Sequence, residues 1–307
     1  MISTISSHHS SALQSTTELV QKSPLTISLT LPETARKTSV VWEQLQSVTQ
    51  DTLPFIAMQM QPCALYPEIS YPVETSVSGL HANILSLKEL DCFVLLPSPL
   101  FVAGQCPSRG TVETFWRFIH THSFSILDLR QDPKDVELTE TYYPKEGQRI
   151  MCGSTTISHL FNAQHEIPYH VYEVCTSSLK RNIIRAHFKE WPDANAVDIF
   201  LLDGIVETIN KLGSYIFVHC LAGIGRTGTV ITAYLLKKLL IKEIEARGSC
   251  EPSKIDQFLI QLITYLRRQR GPYFVMKECQ FDLLRKYGYY VLINKRAVAD
   301  IHYDVYL

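Results

Sequence analysis

The stretch "IFVHCLAGIGRTGTVITAYLL", residues 216 to 236, joins two apolar runs through a cysteine, three glycines and an arginine, and it restricts the fold more than any other part of the chain. The first run is short and bounded, which predicts a buried strand delivering His219 and Cys220. The second is apolar nearly all round, which predicts a helix at the centre of the molecule. A strand that ends at Cys220 and reaches Arg226 at the start of a helix forms a tight turn whose backbone N–H groups point inward at the helix N-terminus. Unsatisfied N–H groups and the positive end of the helix dipole both favour a dianion. The backbone of Leu221, Ala222, Gly223, Ile224, Gly225 and Arg226 is therefore expected to cradle phosphate. Gly223 and Gly225 permit the unusual angles of such a turn, and Gly228 lets the helix pack closely. Arg226 offers a planar fork able to hold two equatorial oxygens. The same field stabilises Cys220 as a thiolate nucleophile, and Thr227 is placed to donate a hydrogen bond to the sulfur as it leaves.

The rest of the chain alternates strand and helix signals. "ANILSL", "CFVLLP", "LFVAG" and "SILDL" are short apolar runs that suit strands, and "YHVYEV" with "NIIRAHF" reads as a strand pair. "SVVWEQLQSVTQ", "TVETFWRFIHTH", residues 196 to 212 and "PSKIDQFLIQLITYLRRQR" have helical spacing, the third ended by Gly213 and the last opened by Pro252. The order predicts one α/β domain with a twisted, mostly parallel central sheet flanked by helices on both faces. Residues 1 to 24 read as a disordered Ser/Thr-rich leader, 25 to 290 as the catalytic domain and 291 to 307 as a tail without functional signal.

Bulk properties exclude several function classes. A formal net charge of -1 gives no reason to expect nucleic acid as a partner. Eight cysteines without a CxxC pair argue against structural zinc and for free thiols in a reducing, cytoplasmic setting. No run approaches the roughly 18 to 20 apolar residues of a membrane span, and the start lacks the pattern of a signal peptide.

"VHCLAGIGRTG" resembles the H-C-x5-R-T/S-G signature loop of the protein tyrosine phosphatases. The resemblance implies hydrolysis of phosphotyrosine in proteins through a cysteinyl phosphate, with no metal and no cofactor, and makes His219 the residue that tunes the thiolate. The chemistry also requires an acid for the leaving group and a base for water. "EWPDANAVD" resembles the family's Trp-Pro-Asp loop, with Asp193 as acid then base and Trp191 as loop anchor. Its form is similar to that of secreted bacterial members. The alternative is that Asp193 or Asn195 caps the following helix.

Further segments extend the likeness. "LFVAGQCPSRGTVETFWRFI" resembles a family stretch upstream of the signature. "ALYPEISYP" resembles the loop that lines the phenyl pocket, making Tyr66 a stacking wall and Glu68 a contact to peptide backbone; Tyr66 as an ordinary core tyrosine is the alternative. "QRGPYFVMKECQFDLL" resembles the glutamine loop and puts Gln280 where water would be positioned, or simply on the surface of the last helix. Three departures stand out: Met276 replaces the loop's first glutamine, Thr121 aligns with the glutamate that braces the arginine, and Leu65 replaces a basic residue.

Two other functions fit parts of the sequence. "ILDLRQDP" resembles a segment of the cysteine phytases, and Lys180, Arg181, Arg185, Lys189 and "RRQR" would serve an inositol polyphosphate, unless they form a solvated face. A phosphotyrosine-binding pseudophosphatase is kept open by Met276 and Thr121. The leader and the bacterial loop forms together suggest an effector delivered into a host cell; a terminus of a cytoplasmic enzyme is the alternative.

Overall fold

The computed structural model describes residues 36–304 except 54–55, 88–98, 132, 138, 140 and 164–168, with side chains through residue 294 save that of 137. The leader and the "CFVLLP" segment lie outside the described residues. Helix α1 (Thr38–Thr52) is followed by a small hairpin of β1 (Met58–Gln59) and β2 (Tyr71–Pro72). Then come β3 (Ala82–Leu85), β4 (Leu100–Gly104), α2 (Val112–His122), β5 (Ser125–Asp128), α3 (Lys134–Glu137), β6 (Arg149–Cys152), β7 (Thr155–Ala163), β8 (Tyr169–Cys175) and β9 (Lys180–His187). The chain ends with α4 (Ile199–Lys211), β10 (Tyr215–His219), α5 (Gly225–Arg247), α6 (Ser253–Arg270) and α7 (Glu278–Asp304).

Eight strands form one sheet in the order β3-β4-β10-β5-β9-β8-β7-β6. The central strands β4, β10, β5 and β9 are mutually parallel. The flanking pairings, β3 on one side and β8, β7 and β6 on the other, are antiparallel, so the sheet is mixed. Strands β6 and β7 have no counterpart in the sequence reading. The inward positions of β7 include Thr155 and His159 as well as Ile157, which hides the apolar alternation, and β6 buries only Cys152.

Alternation along the central strands divides the core between two faces. Ile216 and Val218 of β10 pack with Phe101, Ala103 and Leu127 beneath α1, α4, α5, α6 and α7. Phe217, with Val102, Ile126 and Ile183, points the other way onto Phe115, Trp116 and Ile119 of α2. Helix α5 is central, as its all-round apolarity predicts, with Val230, Ile231, Ala233, Leu235 and Leu236 fully buried. The register aligns Gly104, Asp128, His187 and His219 at the carboxyl rim of the parallel strands, where α/β sheets bind ligands.

Beneath that rim lies a buried ionic cluster. The Asp128 carboxylate pairs with Arg130 at 2.7 Å and Arg185 at 2.6 Å, all three inaccessible to solvent. Burial alone would push the Asp128 carboxyl up, but Arg130, His219 and Arg185 outweigh it and hold it well below the usual carboxylate range. Tyr142 and Tyr143 cover the guanidinium groups, with Arg185 at 3.8 Å from the Tyr143 ring centre.

Replacing Asp128 by Ala should therefore strand two buried cations and destabilise the protein by about 3 to 5 kcal/mol. Urea unfolding measures this, and a loss below about 1 kcal/mol would show that the cluster is not desolvated as described.

Candidate active site

The turn between β10 and α5 is shaped by contacts that only its sequence allows. Gly223 has φ of +70°, and a Cβ there would lie 2.0 Å from the Gly104 carbonyl oxygen. Any other residue would push the loop off the end of β4. At Gly228 a Cβ would meet the Val275 nitrogen at 2.5 Å, the close packing the sequence anticipates. The loop carbonyls turn outward. Leu221 accepts from the Cys106 N–H at 2.9 Å, and Ile224 accepts from Val275 and Gly228 at 3.1 Å each. Arg270 donates to the Gly223 and Ala222 carbonyls at 3.1 and 3.4 Å. With the oxygens held outside, the loop N–H groups are left to the inner side, where Gly223 N–H donates to Cys220 Sγ at 3.3 Å.

Arg226 is fully buried, and its head group gathers four residues from three segments. Nη1 donates to the Leu129 and Trp191 carbonyls at 3.0 Å each and to Asp135 Oδ2 at 2.5 Å; Nη2 donates to Asp193 Oδ1 at 2.9 Å. The brace is thus Asp135 of α3, a residue the sequence reading missed, while Thr121 is exposed on α2. Asp135 is itself fixed: its Oδ2 accepts from the Gln131 N–H at 2.8 Å, and its carbonyl accepts from Thr139 Oγ1 at 3.0 Å. The signal lay within "LRQDPKD", an acidic residue on a short turn after β5, but no spacing tied it to Arg226.

Asp193 sits on a loop anchored by Trp191, whose fully buried indole donates from Nε1 to the Asn195 carbonyl at 2.9 Å. Ala194 takes a left-handed backbone with φ of +57°, and Asn195 Nδ2 donates to the Asp193 carbonyl at 3.2 Å. Neither Asp193 nor Asn195 caps α4. That role belongs to Asp198, whose carboxylate accepts from the Leu201 N–H at 2.9 Å. Half of the Asp193 side chain is exposed.

His219, which precedes Cys220, is fully buried. A carbonyl can only accept, so His219 Nδ1–H donates to the Cys220 oxygen at 3.1 Å, and Nε2 accepts from the Tyr142 hydroxyl at 2.7 Å. Burial, offset in part by Asp128, pushes the imidazole down to about 4, so the ring is neutral at physiological pH. Tyr142 is a second partner that no sequence pattern disclosed.

The remaining sequence-named residues fall into place unevenly. Tyr66 is half-buried, its backbone clamped in both directions by the Gln105 amide at 2.8 and 2.9 Å. Its phenol is pushed up by burial and then by negative charge on Asp193, Asp135 and Cys220. Glu68 is exposed. Gln280 is fully buried, not a surface residue: Oε1 accepts from the Met276 and Lys277 N–H groups at 3.1 and 3.3 Å, and Nε2 faces Gly225. Three buried donors at this loop, Arg226 Nε, Thr227 Oγ1 and Gln280 Nε2, have no hydrogen-bond partner. Thr227 does not bond the sulfur in this arrangement. Of the basic residues considered for a polyanion, Arg185, Arg267 and Arg270 are buried and engaged in internal bonds. Lys180 pairs with Glu173 at 2.5 Å.

Comparison with known proteins gives a consistent result. A family model described as protein-tyrosine phosphatase matches residues 78–287. Human tyrosine-protein phosphatase non-receptor type 23 is 29% identical over 188 residues, covering 56% of this chain and 11% of that protein. Tyrosine-protein phosphatase 3 of Dictyostelium discoideum is 29% identical over 189 residues, covering 55% of this chain and 18% of its own length. The chain thus spans a small fraction of these relatives. The catalytic domain of human protein tyrosine phosphatase non-receptor type 18 superimposes with a TM-score of 0.67 at 17% identity, covering 83% of this chain and 96% of that one.

If Asp135 orients Arg226, then Asp135→Ala should lower kcat/KM for a small aryl phosphate by about tenfold to a hundredfold, the worth of one charged hydrogen bond. Thr121→Ala should leave it unchanged. Steady-state kinetics on both variants decides, and a fall shared equally by the two would remove Asp135 from its role.

Proposed function

The chain belongs to the protein tyrosine phosphatase family, and from that premise we propose that it hydrolyses phosphotyrosine in proteins through a phosphocysteine on Cys220. The observation that carries this reading is the grouping of the unpartnered donors Arg226 Nε, Thr227 Oγ1 and Gln280 Nε2 at a loop whose carbonyls all point away. Buried donors without partners cost roughly 1 to 3 kcal/mol each, a cost that a bound oxyanion removes.

In the first step the Cys220 sulfur attacks phosphorus and the bond to the phenolic oxygen breaks, with Asp193 giving its proton to that oxygen. Arg226 and the N–H groups of residues 221 to 226 hold the equatorial oxygens throughout. In the second step Asp193 takes a proton from water, the water oxygen bonds to phosphorus, and the sulfur leaves as thiolate, assisted by Thr227. Gln280 orients that water from the α7 side, where Met276 has no donor to offer. His219, neutral and tied to the Cys220 carbonyl, keeps the nucleophile in register. Tyr66 would form the wall against which the phenyl ring stacks, and Glu68 would contact the peptide backbone.

The burial of Arg185, Arg267 and Arg270 takes these cations away from a polyanion surface and weighs against the inositol polyphosphate alternative. The intact set of Cys220, Arg226 and Asp193 weighs against a pure binding module. Among the described residues no helix is long and apolar enough to cross a membrane. The Ser/Thr-rich residues 1 to 24 and the "WPDANAV" loop support delivery into a host cell as the setting. A fusion of residues 1 to 24 to a reporter should then be exported by a specialised secretion apparatus, and retention of the reporter would remove this part of the proposal.

Phosphate release should be confined to a phosphotyrosine peptide when that peptide, a matched phosphoserine peptide and inositol hexakisphosphate are compared, and Cys220→Ser should abolish it. In the same assay Gln280→Ala should give an initial burst followed by slower turnover. Preferential release from inositol hexakisphosphate would overturn the phosphotyrosine reading, and binding without release would favour the pseudophosphatase.

A further inference from the structure

Arg270 closes α6 and is fully buried behind the phosphate loop. Its Nε donates to the Gly223 carbonyl at 3.1 Å, and Nη1 to Asn83 Oδ1 at 2.8 Å. Nη2 reaches His81 Nδ1 at 3.0 Å, the His81 carbonyl at 3.3 Å and the Ala222 carbonyl at 3.4 Å. His81 Nε2–H donates to the Ile69 carbonyl at 2.5 Å, so Nδ1 is an acceptor and the ring is neutral. Burial, reinforced by Arg270, pushes this imidazole down to about 4. Every hydrogen-bond partner of Arg270 is therefore neutral, and among the described residues no carboxylate forms an ion pair with it. The Tyr71 ring, centred 5.8 Å away, is its other neighbour.

A guanidinium taken out of water without a counter-ion is strongly disfavoured. Burial brings its pKa down only to about 10, so it stays charged at neutral pH. What offsets that cost is visible in one peptide group. The Ala222 carbonyl accepts from Arg270, and the N–H of the same peptide unit, on Gly223, donates to Cys220 Sγ at 3.3 Å. A cation on the oxygen end of a peptide polarises it and strengthens the N–H as a donor. Negative charge on the sulfur in turn supplies the charge that the guanidinium lacks.

We propose that Arg270 is a positioning residue that stabilises the Cys220 thiolate through the Ala222–Gly223 peptide unit, as an unpaired buried cation acting from behind the loop. In keeping with this, negative charge on Cys220 favours the charged form of Arg270. The arrangement differs from that of Arg226, which carries two carboxylates and faces the substrate oxygens. It also reassigns the "RRQR" segment, whose last arginine serves the nucleophile rather than a polyanion. The inference rests on the phosphatase reading only in taking Cys220 as the nucleophile.

The test is the rate at which iodoacetamide alkylates Cys220 in the full chain at a fixed, mildly acidic pH, followed by mass spectrometry. The thiolate is the reacting form, so the rate reports its stabilisation directly. Arg270→Met removes the charge and keeps most of the stem. His81→Glu leaves Arg270 in place but gives it a buried counter-ion, which protects the fold by pairing. Both should slow alkylation by about tenfold, the effect of one charged hydrogen bond, while Arg270→Lys should retain most of the rate. A purely structural role predicts no slowing in a His81→Glu protein that unfolds at the wild-type temperature, and that result would overturn the proposal. Wild-type Cys220 that stays unmodified while the exposed Cys63 and Cys279 react would instead sink the nucleophile assignment and the relay with it.

Discussion

Four consecutive carbonyls, those of Leu221 to Ile224, turn away from Cys220, and the donors left on the inner side of the loop depend on that orientation. Left alone, a turn of this kind would pair its oxygens with water and scatter its N–H groups. Here the donors come from widely separated parts of the chain: Cys106 after β4, Arg270 at the end of α6, Val275 before α7 and Gly228 in α5. Each such bond is worth only about 1 kcal/mol net, but a buried carbonyl left without one costs more, so the loop adopts this shape only when all the elements are docked. The anion cradle is a product of the whole fold rather than of its own eleven residues. The glycine at 223 is the local concession that makes the geometry possible, since the loop passes within contact distance of the Gly104 carbonyl.

Beneath the cradle, charge is distributed so that each ionic group has a distinct duty. Asp128 pairs with both Arg130 and Arg185, and Tyr142 lies between that cluster and His219. Arg130 also donates to Thr139 Oγ1 at 2.7 Å, and Thr139 donates to the carbonyl of Asp135, the carboxylate that grips Arg226. Polar contacts thus link the surroundings of His219 to the segment that carries Asp135, the partner of Arg226. In a low-dielectric interior such chains polarise one another and favour a single arrangement. The brace of Arg226 comes from Asp135 on α3 rather than from α2, where Thr121 is exposed.

The parts of the site legible in the sequence are those whose chemistry is compressed into a few adjacent residues. Cys220, Arg226 and the glycines announce themselves because a strand, a tight turn and a helix leave few other folds, and Asp193 because its loop sits just before a helical pattern. Asp135, Tyr142 and Arg270 were not legible, since each acts across a large sequence separation on an atom that no local pattern identifies. Arg270 was misleading as well: beside Arg267 and Arg268 it looks like a surface charge run, whereas the C-terminal turn of α6 carries it inward to carbonyls, where its charge also suits the negative end of the helix dipole. The sheet was legible in its parallel centre and illegible at β6, a short and mostly exposed edge strand, and at β7, where threonine and histidine occupy buried positions.

The two carboxylates on Arg226 are not equivalent, and the difference suits a catalytic cycle. Asp135 is almost wholly buried, so separating it from the guanidinium would leave two desolvated charges and cost about 3 to 5 kcal/mol. Asp193 is half-exposed on a loop that bends through a left-handed alanine, and a pair in that environment is worth about 0 to 1 kcal/mol. In the mechanism proposed above, a phosphate dianion arriving at Arg226 competes with the weaker partner and leaves the stronger in place. Asp193 would thereby be released toward the leaving oxygen while the arginine keeps its orientation, so that one side chain holds the geometry and the other is free to move the proton.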